Sequence, residues 1–110
     1  MDMNRDNLNE EQQEQLLFMM LVQQHQQIAM MGLGKIQNPA TQEIEKDLSS
    51  AKYSIDTLSM LKNFTEGNLS EEAESYLEQT LTNLILNYAE ESKKEKEESE
   101  SEKSDSGENE

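Results

Sequence analysis

The chain has 110 residues, of which 33% are hydrophobic and 30% charged, with a formal net charge of −15. A chain this acidic is repelled by nucleic-acid phosphates and by anionic membrane surfaces, so neither is expected as a partner. Without cysteine it has no disulfide framework, thiol nucleophile or thiolate metal site, and its polarity implies one small folded domain with part of the chain disordered.

Residues 1–8 are polar and are expected to form a flexible N-terminus, with a helical domain over 9–91 and a disordered acidic tail over 92–110. The start carries no secretory signal. The longest apolar run, Leu16 to Val22, is seven residues, against the roughly 20 that a membrane-spanning helix needs. These features point to a soluble, cytoplasmic protein. The fold class they predict is all-α: three helices, at about 10–31, 41–65 and 71–91, in a small bundle.

The first helix opens at Asn9, an N-cap residue, with Gln12 three positions on completing a capping-box pattern and Glu10 and Glu11 favourably placed in the first turn. Leu17, Leu21, Gln24, Ile28 and Met31 share one helical face. Phe18, Val22, His25 and Ala29 form an adjoining stripe, and Leu16, Met19 and Met30 fall on the opposite side. This helix is apolar over more than the usual arc and needs covering on two sides. Gly32 and Gly34 end it, since either can take the left-handed conformation.

The connection over 35–40 holds the only proline, and Asn38-Pro39 is a turn or helix-start dipeptide. Helix 2 is capped either by Asn38, with Pro39 in its first turn, or later, by Thr41. Within it Ile44, Leu48, Ala51, Ile55 and Leu58 repeat in steps of four and three, a narrow seam of coiled-coil type. Small Ala51 at its centre lets a partner helix approach, and Leu61 and Phe64 are placed to pack under the next turn. Thr65, Gly67, Asn68 and Ser70 form the corner: Gly67 closes helix 2, and Ser70 caps helix 3 with Glu71 and Glu72 against its dipole.

Helix 3 has a buried stripe of Ala73, Tyr76, Leu77, Thr80, Leu81, Leu84, Ile85 and Tyr88. Past Ala89 the apolar periodicity stops. From Glu90 to Glu110 ten acids stand against four lysines, a net of −6, and from Ser92 onward there is no hydrophobic residue. Glu and Lys favour helix, so helix 3 can run a turn or two further before the tail loses order.

With these residues in view, the chain resembles a bacterial family catalogued as domain of unknown function 1844. The matching pieces are Leu33-Gly34, Asn38-Pro39, Asp47-Leu48-x-x-Ala51-Lys52, Ile55-Asp56-x-Leu58-x-Met60-Leu61 and Thr65-x-Gly67-Asn68-Leu69-Ser70-x-Glu72, then Leu77, Leu81, Leu84 and Tyr88. They cover roughly residues 18–90. The Thr-x-Gly-Asn-Leu corner is the most specific of them; the spaced leucines are generic. The chain departs at Phe64, where the family usually has lysine, and at Ile85, where it usually has arginine. The resemblance implies a small helical domain and supplies no activity.

No catalytic, cofactor or metal site is expected. His25, with Met19, Met20, Met30 and Met31 on the same helix, has the softness for copper(I), but the thioethers point to different flanks. Glu10, Glu11 and Glu14, and again Glu71, Glu72, Glu74 and Glu78, read as solvated first-turn acids, since no Glu-x-x-His accompanies them. Asp56 reads as bonded to a neighbouring helix end or to Lys52, four residues earlier, rather than as a general base. The Gly67-Asn68 turn, with no lysine after it, is a helix connector and not a phosphate loop.

The sequence therefore favours a non-enzymatic helical interaction or scaffolding module, a homo-oligomer and most simply a dimer. Its candidate interface is Leu17, Met20, Leu21, Gln24, Ile28 and Met31, an apolar patch with uncharged glutamines at its rim. A core of three short helices is marginal alone, and association commonly supplies the rest. The alternative is an acidic adaptor whose tail binds a basic protein, and a small enzyme subunit is a third reading.

Overall fold

The computed structural model describes residues 8–108, with side chains described from 8 to 100. The expected flexible N-terminus therefore lies, Leu8 apart, outside the described residues, as do the last two residues of the tail. The chain folds into three helices: α1 (Glu10–Gly32), α2 (Leu48–Phe64) and α3 (Glu71–Glu108). There is no strand among the described residues, and no helix is long and apolar enough to cross a membrane.

Helix α1 begins as its sequence directs. Asn9 Oδ1 accepts from the Gln12 amide at 2.8 Å, and Gln12 Oε1 accepts from the Asn9 amide at 3.1 Å, so two donors at the helix start are satisfied reciprocally. At the other end the two glycines divide the work. Gly34 takes the left-handed turn, at φ +77. Its amide bonds Met31 O at 3.0 Å while the Lys35 amide bonds Met30 O at 2.9 Å. These two bonds make a Schellman closure.

Gly32 stays helical and serves packing. A Cβ there would stand 2.6 Å from Asp47 O and 2.9 Å from the Ala51 amide nitrogen. Only a residue without a side chain lets α1 and the start of α2 come this close. The Asp47 amide uses the approach, donating to Gly32 O at 2.8 Å.

Helix α2 starts at Leu48, seven residues later than the expected start near Thr41 and four beyond the first residue of the apolar seam, Ile44. Asn38-Pro39 opens a tight loop instead. Asn38 Oδ1 accepts from the Ala40 amide at 2.8 Å, Asn38 O accepts from the Thr41 and Gln42 amides, and the Asn38 amide bonds Glu43 O. Gln42 stands at φ +59, where no helix can propagate. Asp47 then caps α2, accepting from the Ser50 amide at 3.3 Å. Ile44 is consequently exposed and lies outside the seam.

The core is built where the helices meet: Val22, Ala29 and Leu33 from the first, Ala51, Ile55 and Leu58 from the second, Leu77, Leu81 and Leu84 from the third. Gln15 Oε1 accepts from the Ser70 amide at one end and Lys35 reaches Glu91 near the other, so α1 and α3 run in the same direction. Helix α2 runs back between those ends. The buried stripe of α3 is the expected one save for Ile85, which is exposed. Phe64 does not tuck under the corner either: it is 83% exposed. The backbone of α3 continues helical past the expected end near Glu91 to Glu108, and from Ser92 to Glu100 no side chain is buried.

Two substitutions test this packing. Gly32→Ala gains about 1 kcal/mol of helix propensity, yet it forces a methyl group into backbone atoms, and we expect a net loss of roughly 1–3 kcal/mol in denaturant unfolding. Ser54 is wholly buried in α2 with its Oγ lacking a hydrogen-bond partner. Removing an unsatisfied hydroxyl relieves a desolvation cost, so Ser54→Ala should raise stability by about 1 kcal/mol. A destabilised Ser54→Ala would show that the hydroxyl is bonded after all.

Candidate functional site

The inner arc of α1 carries Val22, Ala29 and Gly32, all buried, with Phe18 and Met30 packed beside them. The opposite arc is therefore turned away from both other helices. On it lie Leu17, Met20, Leu21 and Ile28, exposed by 48, 47, 38 and 38%. Gln24 is exposed among them and Met31 half-buried at the end. The structure thus brings the six candidate interface residues onto one outer face, about 21 Å from end to end at 1.5 Å per residue.

This face has no charge. Between Glu14 and Lys35 the sequence carries no Asp, Glu, Lys or Arg, in a chain whose net charge is −15. At its C-terminal end the face opens into a groove of about 430 Å³, bordered by Ile28, Met31, Gly32, Lys46, Asp47 and Ser50.

A second feature escaped the sequence reading. Glu91, at the boundary assigned to the tail, is 7% exposed. Three ammonium groups surround its carboxylate: Lys46 Nζ at 2.8 Å from Oε1, and Lys35 Nζ at 3.0 Å and Lys94 Nζ at 3.2 Å from Oε2. Hydrogen bonds from Lys46 first, then Lys35 and Lys94, hold its pKa down from 4.5 to about 2. The same bond raises Lys46. This clasp ties the segment around the 38–43 loop to α3. Partners 56 and 45 residues apart leave no local pattern to read.

The other candidate residues fall as follows. Thr65 caps the end of α2 through its amide and hydroxyl, both bonded to Leu61 O. Gly67 is left-handed at φ +78, one residue beyond the position expected for it, in a turn closed by the Asn68 amide on Thr65 O. Ser70 Oγ accepts from the Ala73 amide at 3.1 Å, the cap expected of it. Asp56 is exposed and accepts from Lys52 Nζ at 2.7 Å. His25 is half-buried, with Nδ1 lacking a hydrogen-bond partner. No group of three or more His, Cys, Asp or Glu stands at ligating distance among the described residues.

One apolar stripe was missed outright. Tyr53, Met60 and Phe64 are exposed on α2, with Thr57 between them in steps of four, three and four. The spacing was in the sequence, but the inner seam of the same helix absorbed it.

A family model described as Domain of unknown function (DUF1844) matches residues 15–90. No curated protein and no solved structure matches the chain.

The clasp has a pH signature. Folding lowers the pKa of Glu91, so its stabilising contribution is present above the ordinary value of 4.5 and is lost as pH falls through about 2. Glu91→Gln should be less stable than wild type at pH 7, with the gap narrowing between about pH 4.5 and 2. Paired urea titrations across that range check it; a gap that stays constant with pH would refute the clasp.

Proposed function

Given that the chain belongs to the DUF1844 family, we propose that it is a non-enzymatic helical module that pairs with a second copy of itself through the outer face of α1 and serves as a scaffold in that form. The observation that carries this reading is the uncharged apolar face itself, with Leu17, Met20, Leu21 and Ile28 exposed together. Contiguous exposed apolar surface on a small domain marks an association site more often than it marks anything else.

Charge favours a copy of the same chain on that face. Two molecules of net charge −15 repel wherever their acids meet. Residues 15–34 are the longest stretch free of formal charge. Glutamines at the rim hydrogen-bond across a contact without bringing charge into it. Helices α2 and α3 occupy the inner arc, which leaves the outer one for a partner.

Replacing Met20 or Leu21 by Glu tests the reading. Covering the exposed remainder of one such side chain is worth about 1–2 kcal/mol, and both copies lose it. Each variant should therefore weaken self-association by about thirtyfold or more, while the helical circular dichroism stays as in wild type. Sedimentation over a range of micromolar concentrations measures this. A wild-type chain that stays monomeric throughout removes the proposal.

A further inference from the structure

The order of residues on the outer face of α1 contains its own mirror. Counted from Gln24, Met20 and Ile28 are each four positions away, and Leu17 and Met31 are each seven. All five are exposed or half-buried on the same arc. Reversed end for end, these five present the same kinds of residue at the same heights, while Leu21 of the same face mirrors onto Gln27. We infer that the second copy docks antiparallel, across a two-fold axis beside Gln24, with Leu17 of each copy against Met31 of the other and Met20 against Ile28. The inference rests on the self-association reading and adds to it a direction and a register.

Two observations choose antiparallel over parallel, and a third sets the register. The first is the placement of acids on α1 itself. Glu10, Glu11 and Glu14 all lie at its N-terminal end, and its C-terminal end has none. Parallel copies would bring six carboxylates of α1 together; antiparallel copies move the two groups to opposite ends of the pair, and the two helix dipoles also oppose favourably.

The second is the course of α3. It runs in the same direction as α1, passes Lys35 at Glu91 and continues to Glu108. Ten of the chain's acids lie from Glu90 onward. Parallel pairing sends both extensions out of the same end of the dimer, like charge beside like charge. Antiparallel pairing sends them out of opposite ends.

The third is the centre and the end of the face. A glutamine amide has both a donor and an acceptor, so Gln24 can bond its own symmetry copy, which a carboxylate or an ammonium cannot do. A single polar residue in an otherwise apolar seam is also what fixes register between paired helices. At the far end, this register delivers Leu17 of the second copy to Ile28 and Met31, on the apolar side of a groove whose other side is Asn38, Glu45, Lys46, Asp47 and Ser50.

The absence of cysteine makes the test direct. Full-length Leu17→Cys and Met31→Cys chains, one carrying a short mass tag, are mixed and oxidised, and the disulfides are identified by mass. Both positions lie on the outer face, and circular dichroism confirms that each variant folds. Like-charge contact penalises the parallel arrangement, so the 17–31 product should exceed the 17–17 and 31–31 products by about tenfold or more. Gln24→Cys should cross-link to itself. Where the wild-type chain is a dimer, variants that give mainly 17–17 and 31–31 products overturn the register but leave self-association standing, as do comparable yields of all three. A dimer that cross-links at none of these positions overturns the register and the choice of α1 as the contact. A monomer in sedimentation overturns both inferences.

Discussion

Everything else in this fold follows from how closely α1 approaches the start of α2. At Gly32 the two backbones meet with no side chain between them, and the Asp47 amide donates to Gly32 O across the gap. That contact fixes where α2 begins, because Asp47 is both the donor and the N-cap. It also sets the rotation of α1. With Gly32 against Ala51, the residues one and three turns back, Ala29 and Val22, must face inward, where they are found buried. A helix rotated that way can only turn Leu17, Leu21 and Ile28 outward. The exposed face is thus a consequence of the tightest contact in the molecule.

The second fixed point is electrostatic. Glu91 is the one buried carboxylate among the described residues, and three of the chain's nine basic residues converge on it. A lone buried carboxylate would be costly; with three ammonium partners it holds its charge, and breaking the set would be costlier than never forming it. The clasp lies where α3 leaves the core. It anchors both the 35–47 segment and the root of the long helical extension, which is otherwise stabilised by local pairs such as Lys94 with Glu90 at 3.4 Å. Gly32 positions one end of the connecting segment, and Lys46 with Lys35 holds its flank.

What could be read in advance divides along the same line. Local chemistry was legible: the Asn9–Gln12 capping box, Ser70 as a cap, the left-handed Gly67, and the α3 stripe all depend on residues within a few positions of one another. So was the six-residue face of α1, because helical periodicity alone places those residues together. Non-local outcomes were not legible. Ile44 lies four residues before Leu48 and looked like part of the seam, yet the Asn38 turn and the left-handed Gln42 prevent a helix from passing through. Phe64 and Ile85 had the right spacing for burial and no neighbour to bury them. Glu91 resembled the tail that follows it, and only the positions of Lys35 and Lys46 in space set it apart.

The inner surfaces of these helices interleave small residues, Ala29, Gly32, Ala51, Ser54 and Ala73, with the larger Val22, Leu33, Ile55, Leu58, Leu77, Leu81 and Leu84. Small residues let helices approach closely, but each buries little area, and hydrophobic stabilisation scales with area. Large apolar side chains such as Leu17, Met20, Tyr53 and Phe64 also stand on the outside. A chain that fits its helices this closely, and still carries bulky side chains on an uncharged face of α1, leaves apolar area uncovered there. Charge on this chain performs the complementary task. Acids stand before the uncharged stretch at Glu10, Glu11 and Glu14 and after it only from Glu43 onward, so the exposed leucines and methionines of α1 lie where no formally charged side chain interrupts them.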